Sequence, residues 1–194
     1  SVKAKFVDLL VEHTRARVKV GLPWVQDTFT GPVIDEAALK TFLDASAEAQ
    51  RDGKILFGGT RKTGGDLEHG YYVEPAIVDG LPKSHRLFKE ELFVPFLTIA
   101  GVDSLEEALA ESNAVEYGLC AGIYSKDDEQ VERFFDKIEA GVLYTNRRAG
   151  ATTGAWPGVN SFGGWKGSGS SGKSGLGPYY VQQFMREQSR WIVK

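Results

Sequence analysis

The sequence contains a single cysteine, the side chain best suited to nucleophilic attack on a carbonyl group. Cys120 lies in the apolar run Leu119-Cys120-Ala121, with no flanking histidine or basic residue to lower its pKa. We therefore predict a buried thiol that packs as a small apolar group and is not a nucleophile. One cysteine also excludes an internal disulfide, which is compatible with a reducing compartment, so we expect a cytoplasmic protein.

Acidic residues and histidines offer acid–base or metal chemistry, but their spacing favours neither. Glu90 and Glu91 are adjacent, so their side chains diverge on a strand or loop and do not form a paired acid and base. His13, His69 and His85 are far apart in the sequence, and nothing in their spacing indicates a metal site. We expect no bound metal.

A glycine-rich segment, GSGSSGKS from Gly167 to Ser174, matches the phosphate-binding P-loop pattern and also contains G-x-G-x-x-G. Both motifs need a buried strand directly before them and a helix directly after them, because the phosphate binds at the helix N-terminus. The preceding residues are SFGGWK and the following ones are GLGP, and neither pattern fits. We interpret the segment as a structural turn, which argues against a P-loop nucleotide hydrolase.

The composition indicates a folded globular chain with its own core. Of the 194 residues, 42% are hydrophobic and 25% are charged. The net charge is -3 without a basic stripe, so we expect no nucleic-acid partner. No apolar run approaches the roughly 20 residues of a membrane helix, so we expect no membrane insertion. Because the chain lacks an initiator methionine and opens on a helical pattern, we expect it to begin within a larger fold.

Apolar periodicity predicts four helices. The first covers residues 2–16, and the second runs from a cap at Asp35 to Arg51. Ser104 and Glu107 form a capping box for the third helix, and the fourth runs from residues 127–128 to a stop at residue 141. The apolar face of the second helix is predicted to consist of Leu39, Phe42, Leu43 and Ala47.

Short apolar runs between these helices predict strands: KILF, YYVEPAIVD, LTIAGV, GLCAGIYS and VLYT. Pro75 interrupts the second run, which predicts an edge position for that strand. Alternation of helices and apolar strands is typical of an α/β domain. We therefore predict a largely parallel sheet flanked by helices.

After Asn146 the sequence becomes rich in glycine but keeps Trp156, Phe162 and Trp165. A flexible linker would lack these aromatic residues, so we predict an ordered functional loop. The tail predicts a short helix followed by a strand over Arg186–Lys194, and we expect that strand to pair outside this domain. The predicted division is therefore residues 1–178 and a tail of residues 179–194.

Several motifs together resemble the aldehyde dehydrogenase superfamily. KEELFVPF, from Lys89 to Phe96, resembles the family's E-E-[IL]-F-G-P-V segment, with Val94 where glycine is usual. A helix that ends at Asn113, the tripeptide YGL, the strand GVLYTN and the loop SFGGWKGSGSSGKSG follow in the family's order. The segment TTGAWPGVNSFGG, preceded by Asn146-Arg147, is similar to the T-G-A-x(6)-F-G-G pattern of 1-pyrroline-5-carboxylate dehydrogenases, which oxidise glutamate γ-semialdehyde to glutamate.

The resemblance implies an NAD- or NADP-dependent oxidation of a small aldehyde. In the family a cysteine thiolate attacks the aldehyde and a glutamate activates water, and neither residue is matched in this chain. The resemblance assigns Glu91 to the nicotinamide ribose and Phe93 to the nicotinamide ring. It assigns Gly154, Ala155 and Phe162 to the substrate, because bare backbone N–H groups suit an anionic carboxylate.

We accordingly expect a catalytic-domain portion without the nucleophile and the cofactor-binding domain, inactive by itself and part of a homo-oligomeric enzyme. Two alternatives remain open at this stage. One is another aldehyde or semialdehyde dehydrogenase of the superfamily. The other is a non-catalytic α/β binding module.

Overall fold

A computed structural model describes residues 2–147, 160–169 and 175–194. The helices are α1 (Lys3–Arg17), α2 (Glu36–Asp52), α3 (Leu105–Asn113) and α4 (Asp128–Lys137). The strands are β1 (Lys54–Phe57), β2 (Ala76–Asp79), β3 (Phe96–Ile99), β4 (Tyr117–Gly118), β5 (Cys120–Ile123), β6 (Val142–Thr145) and β7 (Trp165–Lys166). The predicted α/β class is confirmed. The chain forms two compact units, residues 1–101 and residues 102–194, so the boundary at residue 178 stays a prediction.

Side-chain caps begin three of the helices where the sequence predicts them. The Asp35 carboxylate accepts a 2.8 Å hydrogen bond from the backbone N–H of Ala38 at the start of α2. The Ser104 hydroxyl accepts one of 3.1 Å from the N–H of Glu107 in α3. Asp127 caps α4 in the same way. Each cap satisfies a backbone donor that the helix itself leaves unpaired.

In the first unit β2 lies at the centre of a three-stranded sheet, between an antiparallel β1 and a parallel β3. The predicted edge position of this strand is therefore wrong. Pro75 precedes the first paired residue, so the sheet does not need the N–H that proline lacks. Ala76 is the first donor, to the carbonyl of Pro95 at 3.0 Å.

Helix α2 supplies the core of the first unit through one narrow face. Phe42 is fully buried, and its ring meets that of Phe96 edge-on at 6.2 Å between centroids. Leu43 and Ala47, predicted on the apolar face, are exposed because they lie about 100° around the helix from the buried positions. The buried face consists of Leu39, Phe42, Ala45, Ser46 and Ala49.

Helix α1 forms as predicted, but none of its residues is buried. Lys3 ties its N-terminal end to Asp79 at the end of β2 through a 2.7 Å ion pair. Burial alone would raise the pKa of Asp79, but hydrogen bonds from Lys3 and from the Gly80 N–H outweigh it and lower that pKa. Phe6 and Leu9 are exposed, whereas Val7, Leu10 and Val11 are half-buried.

In the second unit β5 pairs with β6 in parallel and β4 pairs with β7 antiparallel. Leu109 of α3 and Phe134 of α4 form a small core with Ile138 and Ala140. Helix α4 ends at Lys137, earlier than the predicted stop at residue 141, because the backbone at Ile138 is already extended.

The C-terminal tail contains a short 3₁₀ helix, Val181–Phe184, where the sequence predicts a short helix. The predicted strand over residues 186–194 is not formed, and Trp191 is 92% exposed. A strand needs a neighbouring edge for its hydrogen bonds, and this segment has none here. Among the described residues no helix combines the length and the hydropathy needed to cross a membrane.

Two neighbouring residues on α2 test this description of the core. We expect Phe42→Ala to lower the free energy of unfolding by about 3–5 kcal/mol, because it removes a fully buried ring. Leu43→Ala is the control and should change it by less than about 1 kcal/mol, since that side chain is exposed. Urea unfolding followed by circular dichroism measures both. Equal losses of unfolding free energy in the two variants would show that Leu43 is buried too, as predicted from the sequence.

Candidate functional site

The segment from Glu90 to Pro95 presents alternate side chains to the core and to solvent. Leu92 and Val94 pack against the core of the first unit. Glu91 is exposed, and the Phe93 ring is 89% exposed, which is unusual for a large apolar side chain. The segment thus displays a carboxylate and an aromatic ring from a backbone that is fixed on its other side.

Phe93 has a backbone φ of 55°, in the left-handed region. For a residue with a Cβ this conformation costs about 1–2 kcal/mol, and it persists only where the surroundings impose it. The core contacts of Leu92 and Val94 impose it here. Non-glycine residues in this region are concentrated at functional sites, which agrees with the role that the sequence assigns to Phe93.

The 3₁₀ turn Arg86–Phe88 anchors this segment on its N-terminal side. Leu87 is buried in the core, and its N–H donates to Nδ1 of His85 at 3.2 Å. Arg86 donates through Nε to both carboxylate oxygens of Glu48, at 3.0 and 2.9 Å, and through Nη1 to Glu90 at 2.9 Å. Glu48 first, and then Glu90, raise the pKa of Arg86 above its usual value.

His85 is not isolated, contrary to the sequence-based interpretation. Its Nε2 lies 3.5 Å from Glu48 Oε1 and 3.4 Å from Asp52 Oδ2. Three metal-ligand types therefore meet within 4.8 Å. Both carboxylates already bind arginines, Glu48 through Arg86 and Asp52 through Arg51 at 2.6 Å, so we interpret the cluster as an ion-pair network. This network is not evident from the sequence, because Asp52 of helix α2 and His85 are 33 positions apart.

Asp52 shows the electrostatic effect of this network. The hydrogen bond from Arg51 lowers the pKa of Asp52 and outweighs burial, which raises it. The hydrogen bond from His85 adds to the lowering. A nearby arginine favours the ionised form of this carboxylate and forms an ion pair with it.

In the second unit Phe162 lies at the start of the F-G-G motif and is half-buried. Its N–H donates to the carbonyl of Gly175 at 2.7 Å, which joins the two sides of the glycine-rich loop. Gly154 and Ala155, the other predicted substrate residues, lie outside the described residues.

The glycines of the motif bring backbones together more closely than a side chain would permit. A Cβ on Gly141 would lie 1.6 Å from the carbonyl oxygen of Gly163. One on Gly169 would lie 2.0 Å from the carbonyl oxygen of Gly164. In the described part of the loop the only preceding strand is β7, which is two residues long, exposed and antiparallel to its neighbour. The strand expected before a P-loop is therefore not found there, which supports the structural interpretation.

Lys166 and Ser168 complete the motif and were not singled out by the sequence analysis. Lys166 Nζ donates to the carbonyl of Asn113 at 3.0 Å, and the Ser168 hydroxyl accepts from the N–H of Gly118 at 3.0 Å. The Asn113 side chain in turn accepts from the N–H of Glu139 at 2.9 Å. These contacts join residues 50 and 53 positions apart, so no local pattern in the sequence indicates them.

Asn146 fixes the end of β6, where the chain continues towards residues 148–159. Its side-chain amide donates to the carbonyl of Ser125 at 2.7 Å and accepts from the N–H of the same residue at 3.0 Å. Its φ is 49°, a conformation that asparagine tolerates better than most residues. The entry to the predicted substrate loop is thus held by a specific side chain.

Cys120 lies in β5 and is half-buried, so it is less buried than the sequence predicted. Burial raises the pKa of its thiol. No basic group offsets the effect of burial on this pKa, so the thiol is poorly suited to act as a nucleophile at neutral pH.

The α/β fold and the described parts of the KEELFVPF segment and the glycine motif are compatible with the family resemblance seen in the sequence. The pattern of the aldehyde dehydrogenase family matches residues 1–189, and the chain belongs to that family.

Relatives within the family share moderate identity with almost the whole chain. A 1-pyrroline-5-carboxylate dehydrogenase of Bacillus licheniformis is 36% identical over 180 residues, which is 93% of this chain and 33% of that protein. A 2,5-dioxopentanoate dehydrogenase of Saccharolobus solfataricus is 33% identical over 189 residues, 97% of this chain and 37% of that protein. The chain therefore spans about a third of the length of the curated relatives it matches.

Solved structures give the same result for the fold. A 1-pyrroline-5-carboxylate dehydrogenase from Thermus with bound NAD superimposes with a TM-score of 0.79 at 31% identity, covering 89% of this chain and 32% of that one. A 3,6-anhydro-L-galactose dehydrogenase superimposes with a TM-score of 0.84 at 28% identity, covering 94% of this chain and 37% of that one.

Asn146 provides a test of the anchored loop entry. We expect Asn146→Ala to lower the free energy of unfolding by about 1–2 kcal/mol, because it removes two hydrogen bonds and leaves a Cβ at positive φ. Asn146→Gly loses the same bonds but accepts the backbone, so it should be the milder change. Urea titration of both variants gives the comparison. A glycine variant less stable than the alanine variant would contradict the left-handed backbone at this position.

Proposed function

We propose that this chain forms the C-terminal part of the catalytic domain of an NAD(P)-dependent aldehyde dehydrogenase that oxidises glutamate γ-semialdehyde to glutamate. The observation that carries the proposal is the KEELFVPF segment, which displays Glu91 and Phe93 from a backbone locked into the core. The similarity to 1-pyrroline-5-carboxylate dehydrogenases supports the choice of substrate.

The cofactor side of the proposed site is the segment described above. The exposed carboxylate of Glu91 would accept hydrogen bonds from the two ribose hydroxyls of the cofactor. Phe93 offers an exposed ring face that packs beside the nicotinamide. When bound, NAD or NADP accepts a hydride from the substrate carbon. Val94, in place of the family's glycine, is compatible with this role because its side chain packs into the core.

The substrate is assigned to Phe162 and to Gly154 and Ala155, which lie outside the described residues. Backbone N–H groups of Gly154 and Ala155 bind the α-carboxylate of the substrate, and Phe162 packs on its aliphatic part. Asn146 and the bridge from Phe162 to Gly175 support this assignment, because they hold positions on both sides of residues 154–155.

The chemical step requires groups that this chain does not supply. In this proposal a thiolate from another part of the enzyme attacks the aldehyde carbon, and the carbonyl oxygen takes the negative charge. Collapse of that adduct expels the hydride and leaves a thioester. Water, activated by a carboxylate outside this chain, then releases the acid and regenerates the thiol. The role of this chain is to orient the two substrates.

A second candidate substrate is 2,5-dioxopentanoate. The relative from Saccharolobus solfataricus that is named for it is similar over 97% of this chain. Both molecules carry a carboxylate and a terminal aldehyde, so the same anchor suits either one. Comparing kcat/KM for the two aldehydes in the complete enzyme separates them, because discrimination between substrates is measured by that ratio.

The 194-residue chain alone should not oxidise aldehydes, since its thiol is a poor nucleophile and the proposed site is incomplete. NADH formation with glutamate γ-semialdehyde measures this. Turnover of about 10 per second, a typical enzyme rate, would contradict the proposal and point to Cys120. The matched control is Cys120→Ser, which would abolish such turnover only if this thiol performed the reaction.

Substitutions of Glu91 and Phe162 should affect different ligands of the complete enzyme. We expect Glu91→Gln to raise the KM for the cofactor about tenfold with little effect on the KM for the aldehyde. Phe162→Ala should do the reverse, as should Ala155→Pro, which removes a backbone donor. Glu91→Gln serves as the control for the two substrate-loop variants, and those two variants serve as the control for Glu91→Gln. A normal aldehyde KM in both Phe162→Ala and Ala155→Pro would show that the loop does not bind the substrate.

A further inference from the structure

The turn that precedes the cofactor-facing segment is joined to helix α2 by more than apolar contact. Arg86 directs Nε and Nη2 at the carboxylate of Glu48 and Nη1 at Glu90. A guanidinium bonded in this forked way fixes orientation as well as distance, because its donors lie in one plane. A single side chain therefore connects α2 to the residue directly before Glu91.

Both ends of this connection are set in rigid surroundings. Glu48 lies between Ala45 and Ala49, which are fully buried, so its helix is fixed in the core. The Glu48 side chain is only 18% exposed, and the neighbouring Leu87 is buried. The Glu48 end of the ion pair is thus shielded from solvent, whereas the Arg86 side chain is 41% exposed.

We propose that the Glu48–Arg86 ion pair positions Glu91 and Phe93 for the cofactor, an inference that rests on the function proposed above. Without this pair Leu87 still anchors the turn in the core, but the direction of the chain after the turn is no longer fixed. The N–H of Lys89 donates to the Arg86 carbonyl, and Glu91 comes two residues after Lys89. A rotation of the turn therefore moves Glu91 directly. Arg86 and Glu48 are positioning residues in this scheme and do not touch the cofactor.

His85 extends the same connection. Its Nδ1 accepts from the Leu87 N–H, which requires an unprotonated nitrogen, while Nε2 faces Glu48 and Asp52. This arrangement links the turn to a second carboxylate of α2. The surrounding charges are Arg51, Arg86 and Glu90.

The test compares Glu48→Gln with Asp44→Asn in the complete dehydrogenase. Asp44→Asn is the matched control, because it breaks the Lys40–Asp44 pair of 2.5 Å on the same helix without a link to the turn. We expect Glu48→Gln to raise the KM for the cofactor about three- to tenfold, the range for coupled contacts, with kcat and the aldehyde KM nearly unchanged. The control should leave all three constants unchanged.

A double-mutant cycle with Arg86→Gln identifies the pair as the cause. If the two residues act through their ion pair, the double variant should be no worse than the poorer single variant. Additive effects would overturn the proposal. Arg86→Lys keeps the charge without the fork and should recover only part of the cofactor affinity. It also provides a milder variant if the glutamine variants fold poorly.

Hydrogen exchange separates failure of this inference from failure of the proposed function. Glu48→Gln should speed amide exchange in residues 86–93, and Asp44→Asn should not. Unchanged exchange, or a cofactor KM equal to that of the control, overturns the positioning role. If Glu91→Gln leaves the cofactor KM unchanged, the proposed function of this segment fails and the inference fails with it. The exchange data then show whether the ion pair still orders the turn.

Discussion

The packing of α2 against the three-stranded sheet is the contact on which the first unit depends. Phe42 is fully buried between helix and sheet, and Val78 of β2 is equally inaccessible. Removing apolar surface of this size from water is the largest favourable contribution available to a unit of about a hundred residues. The same helix carries Glu48 and Asp52 on its adjacent side, so its burial also determines where the turn at Arg86 and the cofactor-facing segment can lie.

A different constraint organises the second unit. There the backbone around β4 and β6 meets the glycine motif at distances that exclude side chains, as at Gly141 and Gly163. Hydrogen bonds from Lys166 and to Ser168 complete the contact. Close approach of this kind gains many weak van der Waals contacts together with satisfied polar groups, and it tolerates little variation in volume. The described part of the glycine motif is thus explained by packing, whereas residues 170–174 of the phosphate-loop pattern lie outside the described residues.

Local signals in the sequence predicted the local structure well. Asp35, Ser104 and Asp127 each cap the helix they were expected to cap, because capping depends on residues only three positions apart. Features that depend on tertiary contact were harder to predict. Leu43 was placed in the core by its type, although the sheet meets the helix one residue earlier. Pro75 suggested an edge strand, but pairing begins one residue after it.

The candidate site shows the same division. Glu91, Phe93 and Phe162 were assigned from motifs whose residues are contiguous, and their roles stay predictions. The network of His85 with Glu48 and Asp52 was missed, because it joins elements that are far apart in the chain. The roles of Lys166 and Ser168 depend on where Asn113 and Gly118 lie in the fold, and spacing alone does not reveal that.

The exposure of the aromatic residues determines which optical signals this chain can give. Trp24, Trp165 and Trp191 are 78%, 56% and 92% exposed, while the fully buried ring of the core belongs to Phe42. An indole in water already emits at long wavelength, so unfolding shifts the emission of these three tryptophans little. Docking of the tail against another surface would instead shift the emission of Trp191 to shorter wavelength. The fluorescence of the three described tryptophans therefore reports association better than it reports folding.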